Sequence, residues 1–91
     1  MNDFKVETEF GYCYYSFEED YVHIYSLYIY KNYRRHGKAR GILKLAIEKI
    51  RKYGYNGDIQ IVAKPTEDSI SFEDLKRFYQ NMGLKVFEYY G

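Results

Sequence analysis

Three small residues alternate at Gly37, Ala39 and Gly41, and Arg34, Arg35, Lys38 and Arg40 surround them with positive charge. This pattern suits the binding of an anion, above all a phosphate. A helix start leaves backbone N–H groups without partners and carries a partial positive charge. An anion placed there is held by the main chain, provided that the nearby residues are small enough to let it approach. The same glycines would equally serve a tight strand-to-helix turn with no ligand. Neither GxxxxGK[ST] nor GxGxxG is present, so nucleotide hydrolysis and dinucleotide binding lack their usual signals. Cys13 is the only cysteine. It has no partner for an intramolecular disulfide and no assignable base, so it reads as a small strand residue in a reducing compartment. No residues are assigned to a metal.

Charge is divided along the chain. Residues 1–30 hold one basic and six acidic residues, whereas residues 31–54 hold nine basic and one acidic. Residues 55–91 hold four basic and six acidic, which leaves a net charge of +1. The basic middle third points to an anionic ligand, either a phosphate-bearing cofactor or a nucleic acid. Aromatic residues make up 21 % of the chain, with 13 Tyr, 6 Phe and no Trp. Tyr buries a ring while keeping a wet hydroxyl, so this bias suits either strands or a partner surface.

The 91 residues fit one domain, 1–91, with a modest core. The opening MNDFKVETEF has neither a basic nor an apolar region of the signal-peptide kind, and no apolar run approaches the ~20 residues of a membrane span. A cytoplasmic protein without membrane contact is expected. Residues 4–9 and 11–17 read as strands, and residues 21–30 as a longer one. Simple alternation places Tyr21, His23, Tyr25, Leu27 and Ile29 on one face of that third strand. The other face holds Val22, Ile24, Ser26, Tyr28 and Tyr30. Both faces are largely apolar, so the strand belongs at the centre of the sheet.

From about Lys38 to Tyr53 the period becomes helical, with Ile42, Leu43, Ala46, Ile47, Ile50 and Tyr53 as the apolar stripe and Gly54 as the stop. Residues 58–63 form a short buried strand. Ser71 to Asp74 has a capping-box pattern and opens a second helix, with Leu75, Phe78, Tyr79 and Met82 on its apolar stripe and Gly83 at its end. Residues 84–90 form the last strand. The order β-β-β-α-β-α-β defines an α+β fold with a twisted mixed sheet. Hairpins join the first three strands, and each strand-helix-strand unit gives a parallel pair.

At these positions the sequence resembles the GNAT family of N-acetyltransferases. That family's fingerprint, [QR]-x-x-G-x-[GA] after a central strand, reads here as Arg34-Arg35-His36-Gly37-Lys38-Ala39. Phe78-Tyr79-Gln80-Asn81-Met82-Gly83-Leu84 is similar to its L-Y-x-x-x-G-F run. The resemblance implies acetyl-CoA as cofactor, with the backbone of Arg35 to Arg40 on the pyrophosphate. It implies that the main chain around Leu27, Tyr28 and Ile29 pairs with the pantetheine arm, the Ile29 amide lying near the acetyl carbonyl. It further implies Tyr79 as proton donor to the departing thiolate and His23 as the base for the ammonium of the acceptor. His36 is expected on the phosphate side or facing solvent.

Ordinary members of the family open with a strand and two helices that wall the acceptor site. Here the first strand begins almost at once, so a minimal acyl-CoA N-acyltransferase fold without those helices is expected, as is the absence of the family's final strand. The cofactor half is then retained and the acceptor half reduced. That implies a large amine-bearing acceptor, or a pocket completed by another subunit, and uncovered edges imply a homodimer. A non-catalytic module of the same fold, binding CoA or a protein, is the alternative. Nucleic acid is not expected, because charges flanking an amphipathic helix are usually its solvated face.

Overall fold

The computed structural model describes residues 3–34, 37–63 and 71–88. Among them five strands form one sheet in chain order: β1 (Asp3–Thr8), β2 (Gly11–Phe17), β3 (Val22–Ile29), β4 (Ile59–Ala63) and β5 (Lys85–Glu88). α1 (Lys38–Lys52) joins β3 to β4, and α2 (Phe72–Asn81) joins β4 to β5. β1, β2 and β3 pair antiparallel, whereas β3–β4 and β4–β5 are parallel. This is the expected α+β order, with one added 3-10 turn at Lys31–Tyr33. α1 packs on β1 to β3 and α2 on β4 and β5. Both crossovers step in the same direction across the sheet, so their right-handed sense puts both helices on the same face.

The core lies between that face and the helices. Ile42, Leu43, Ala46 and Ile50 of α1 are buried against Val6, Cys13, Tyr15, Val22 and Ile24. Burying each Leu or Ile contributes about 1.5–3 kcal/mol, so the helix is fixed mainly by its stripe. Tyr53 departs from the expected stripe. It is 72 % exposed and sits at the C-cap, where its ring meets Phe17 at 4.8 Å. By the last turn α1 has reached the rim of the sheet, so an aromatic ring remains to receive Tyr53 but no core does. Gly54 (φ 111°) follows it and donates to the Arg51 carbonyl at 3.0 Å, closing the helix.

β3 contains one residue more than simple alternation allows. Tyr14 pairs with Ser26 and Tyr15 with Ile24, so Tyr25 has no partner on β2. Such a bulge reverses the face on which later side chains fall. Val22 and Ile24 point to the helices before it, and Leu27 and Ile29 do so after it, opposite Cys13 and Gly11. The alternation read from sequence therefore needs correcting. His23 pairs with Ser16 and Gln60 on the face away from the helices, opposite to Leu27 and Ile29. Gly11 is required where β2 starts, because a side chain there would run into the Tyr28 carbonyl.

Candidate active site

β3 and β4 pair only from Val22–Ile59 to Ile24–Ile61, while β4 stays with β5 as far as Ala63. Just past the bulge the two parallel strands part. A cavity of about 460 Å³ opens in the gap, walled by residues 23–28 of β3 and by Ile61 and Val62 of β4. Tyr79 and Tyr12 complete the lining. The cavity is a slot through the sheet, since Tyr79 comes from the helix-bearing face and Tyr12 from the other.

The slot is edged by main chain that β4 does not use. The Tyr30 N–H donates to the Phe10 carbonyl on the β2 side at 2.9 Å. Strand alternation then turns the polar groups of Ile29 and Leu27 the opposite way, toward the gap. The Ile29 carbonyl accordingly accepts a hydrogen bond from Arg34 Nε at 2.9 Å.

Tyr79 lies in the last turns of α2, and that helix is pinned at both ends. Ser71 Oγ accepts from the Asp74 N–H at 3.1 Å, while the Asp74 carboxylate reaches Arg77 at 3.5 Å. At the other end the Leu84 N–H donates to the Tyr79 carbonyl at 3.2 Å, across Gly83 in the left-handed region (φ 85°). Only 6 % of Tyr79 is exposed. Burial, reinforced by the nearby Cys13 thiol, pushes the phenol up to about 12. Burial likewise pushes Cys13 up to about 12, so both groups keep their protons at neutral pH. Across the slot His23 is half-buried, its ring 6.2 Å from that of Tyr25 and 6.4 Å from that of Tyr21.

The basic loop begins where β3 ends. The Arg34 guanidinium stands 5.2 Å from the Tyr28 ring as well as bonding Ile29, so this side chain ties the loop to the strand. Arg35 and His36 lie outside the described residues. Gly37 caps α1 in the left-handed region (φ 73°), and no side chain caps the helix start. The first-turn N–H groups of Lys38, Ala39 and Arg40 have no intrahelical acceptor. Arg40 is exposed and Ala39 half-buried. Lys38 turns toward the β1–β2 turn, with Nζ 4.0 Å from the Phe10 ring, beside a second cavity of about 310 Å³.

The structure thus brings His23, Leu27, Tyr28 and Tyr79 around one slot. Arg34 lies between β3 and α1, Gly37 caps α1, and Lys38, Ala39 and Arg40 form its first turn. Tyr12, Ser26 and Val62 also line the slot and were not singled out in the sequence. The hairpin pairing of β2 with β3 could have found Tyr12, which lies opposite Tyr28. Among the described residues no cluster of His, Cys, Asp and Glu could hold a metal ion, and no helix is long and apolar enough to cross a membrane.

No curated protein matches the chain. Among solved structures, it is similar to that of the anti-CRISPR protein AcrVA5, at 33 % identity and a TM-score of 0.72, over 89 % of this chain and 81 % of that one. Residues 7–84, from within β1 to the residue before β5, match the acetyltransferase (GNAT) family. The chain belongs to the GNAT acetyltransferase family.

Proposed function

We propose that the protein transfers an acetyl group from acetyl-CoA directly to a primary amine. The observation that carries this reading is the parting of β3 from β4 beyond Ile24 and Ile61, with the Tyr79 side chain in the gap. The pantetheine arm would lie in the slot and pair with the polar groups that Leu27 and Ile29 turn toward the gap, the Ile29 carbonyl being already engaged by Arg34. The pyrophosphate would rest on the N–H groups of Lys38, Ala39 and Arg40 and on the preceding residues 35 and 36, with Arg34 holding the loop against the strand.

In the reaction, the amine nitrogen attacks the thioester carbonyl carbon and the C–N bond forms. The negative charge that develops on the carbonyl oxygen is met by the Ile29 N–H. The C–S bond then breaks, its electron pair leaves on sulfur and takes the proton of the Tyr79 hydroxyl, and the proton that the nitrogen still carries restores the phenol as the amide forms. A phenol raised to about 12 by burial stays protonated at neutral pH and is ready to donate. Either His23 or a water relayed by it takes the proton from the acceptor ammonium.

The acceptor would be borne on a macromolecule. The face of the sheet that carries His23 has no helix among the described residues, so the slot meets a broad surface rather than a closed pocket. The alternative is a module that binds CoA without turnover. Calorimetric titration with acetyl-CoA, followed by a thiol-release assay with amines, separates the two. Ligand at 100 times its dissociation constant should stabilise the fold by about 2.7 kcal/mol. Binding without thiol release would favour the module, and no binding would sink both readings.

A further inference from the structure

β1 is an outer strand of the sheet, and among the described residues it has a neighbour on one side only. Its free edge turns the N–H and C=O groups of alternate residues away from β2. The side chains of β1 therefore decide what that edge accepts. Lys5 and Glu7 lie on the outer face, where they pair at 3.4 Å and cancel each other's charge. Phe4, Val6 and Thr8 lie on the helix face, opposite Tyr15, Cys13 and Gly11. Val6 is buried there, whereas Phe4 remains 38 % exposed.

These side chains match a second copy of the same strand. A two-fold axis normal to the sheet pairs two copies of β1 antiparallel about one central residue and keeps like faces together. Centred on Val6, the pairing sets Lys5 opposite the partner's Glu7 and Glu7 opposite the partner's Lys5. Opposite charges directly across an antiparallel pair stabilise it, and like charges destabilise it. Centring on Lys5 or on Glu7 sets like charges opposite each other, and centring on Phe4 leaves most of the strand unpaired. The other outer strand, β5, has no such register. Its Lys85 and Glu88 lie on opposite faces of the strand, so no two-fold axis sets one opposite the other.

The apolar side chains select the same register. It sets Phe4 opposite the partner's Thr8, and Thr8 lines the cavity of about 310 Å³ together with Phe10 and Leu45. Leu45 is itself 40 % exposed. Each Phe4 ring thus lies beside the other copy's cavity, and the contact is made twice around the axis. The helices leave room for it. α1 packs over β1 to β3, so its two copies stand about three strand spacings apart, or ~14 Å. Direct helix packing needs only ~8–10 Å, and the trough between the helices takes the Phe4 and Leu45 side chains.

We propose that the protein is a homodimer in which β1 pairs antiparallel with the β1 of a second copy about Val6, joining two five-stranded sheets into one. The slot between β3 and β4 stays clear of this interface, so the proposal stands whether or not the protein transfers an acetyl group.

Sedimentation equilibrium of the full chain should give twice the monomer mass of 11.0 kDa. Lys5→Glu and Glu7→Lys each set like charges across the axis, and each should weaken the dimer by about tenfold or more. The double reversal Lys5→Glu/Glu7→Lys brings opposite charges back together and should return the dimer to within about threefold of wild type. Leu45→Lys should weaken it by about tenfold or more, by placing a charge in the apolar trough. All three positions are exposed, so circular dichroism should show an unchanged fold in every variant. A mass of 11.0 kDa at every concentration would overturn the proposal, as would a double reversal no tighter than the single ones. So would a dimer that Tyr14→Ala, on the outer face, dissociates while Leu45→Lys leaves it intact.

Discussion

Ile24 and Ile61 form the last registered pair between β3 and β4, and the unpaired Tyr25 follows immediately on β3. Bulge and slot are therefore neighbours, and the extra residue is the physical reason for the gap. A bulge increases local twist and bends its strand, so β3 swings away from β4 while staying paired with β2 in a register shifted by one residue. Deleting Tyr25 would restore plain alternation, keeping Ile24 and Leu27 on the helix face and lengthening the parallel pairing. The deletion variant is expected to fold but to bind acetyl-CoA at least about tenfold more weakly by calorimetry. Wild-type affinity would show that the slot is not where the cofactor binds.

Tyr79→Phe removes a single hydroxyl from a ring that is already buried. Thermal stability and acetyl-CoA affinity should stay close to wild type. The rate of acetyl transfer should fall by about 10²–10⁴, the usual contribution of a positioned acid. Because the phenol lies near 12, no loss of the wild-type rate between pH 7 and 9 should trace to its ionisation. A rate within twofold of wild type would remove Tyr79 from the mechanism.

His23→Ala tests the base separately. The ring lies on the outer face beside Tyr21 and Tyr25, so its removal leaves the helix-side core intact. Transfer should slow by about tenfold or more. An unchanged rate and pH profile would assign the proton to another group.

Alkaline pH should unfold the protein through Cys13 and Tyr79. Their ordinary values are 9.0 and 10.0, and both stand at about 12 in the fold. The unfolded chain therefore sheds these protons first. Their contribution is fully present below about pH 9 and disappears as pH rises toward 12. Each retained proton adds a slope of about 1.4 kcal/mol per pH unit within its window. Urea midpoints measured at one-unit intervals from pH 8 to 11 should fall accordingly, and Cys13→Ala should delay the onset to near pH 10. A flat wild-type profile would contradict the burial of these two groups.

Gly11 and Gly37 should respond differently to alanine. At Gly11 a new Cβ meets the Tyr28 carbonyl, so β2 and β3 must shift, and about 2–4 kcal/mol of stability should be lost. At Gly37 the space is open and only the left-handed conformation is penalised, at about 1–2 kcal/mol. Acetyl-CoA affinity should nevertheless suffer at Gly37, where the phosphates would approach the helix start. Chemical denaturation and calorimetry of the two variants decide both points.

Much of this architecture is legible in residue order. The alternation in residues 4–17, the stripe from Ile42 to Ile50 and the Ser71 cap lie where short-range rules put them, and the parallel pairs follow from the connections. The bulge at Tyr25 is not legible, because an inserted residue in a strand that is apolar on both faces leaves the pattern apolar. That one residue reverses the relation between His23 and Ile29. Tyr53 continued the helical period yet lies beyond the edge of the core. Slot residues such as Tyr12 and Val62 become neighbours only through pairing across strands, which periodicity along one strand does not contain.

The most direct measurement is mass spectrometry of a panel of peptides, each with a single central lysine, after incubation with the protein and acetyl-CoA, beside free-thiol release in the same tube. The expected result is one acetyl group on the central lysine, one thiol per acetyl, and loss of both with Tyr79→Phe. Bound acetyl-CoA with neither product from any amine offered would contradict acetyl transfer and leave a CoA-binding module in its place.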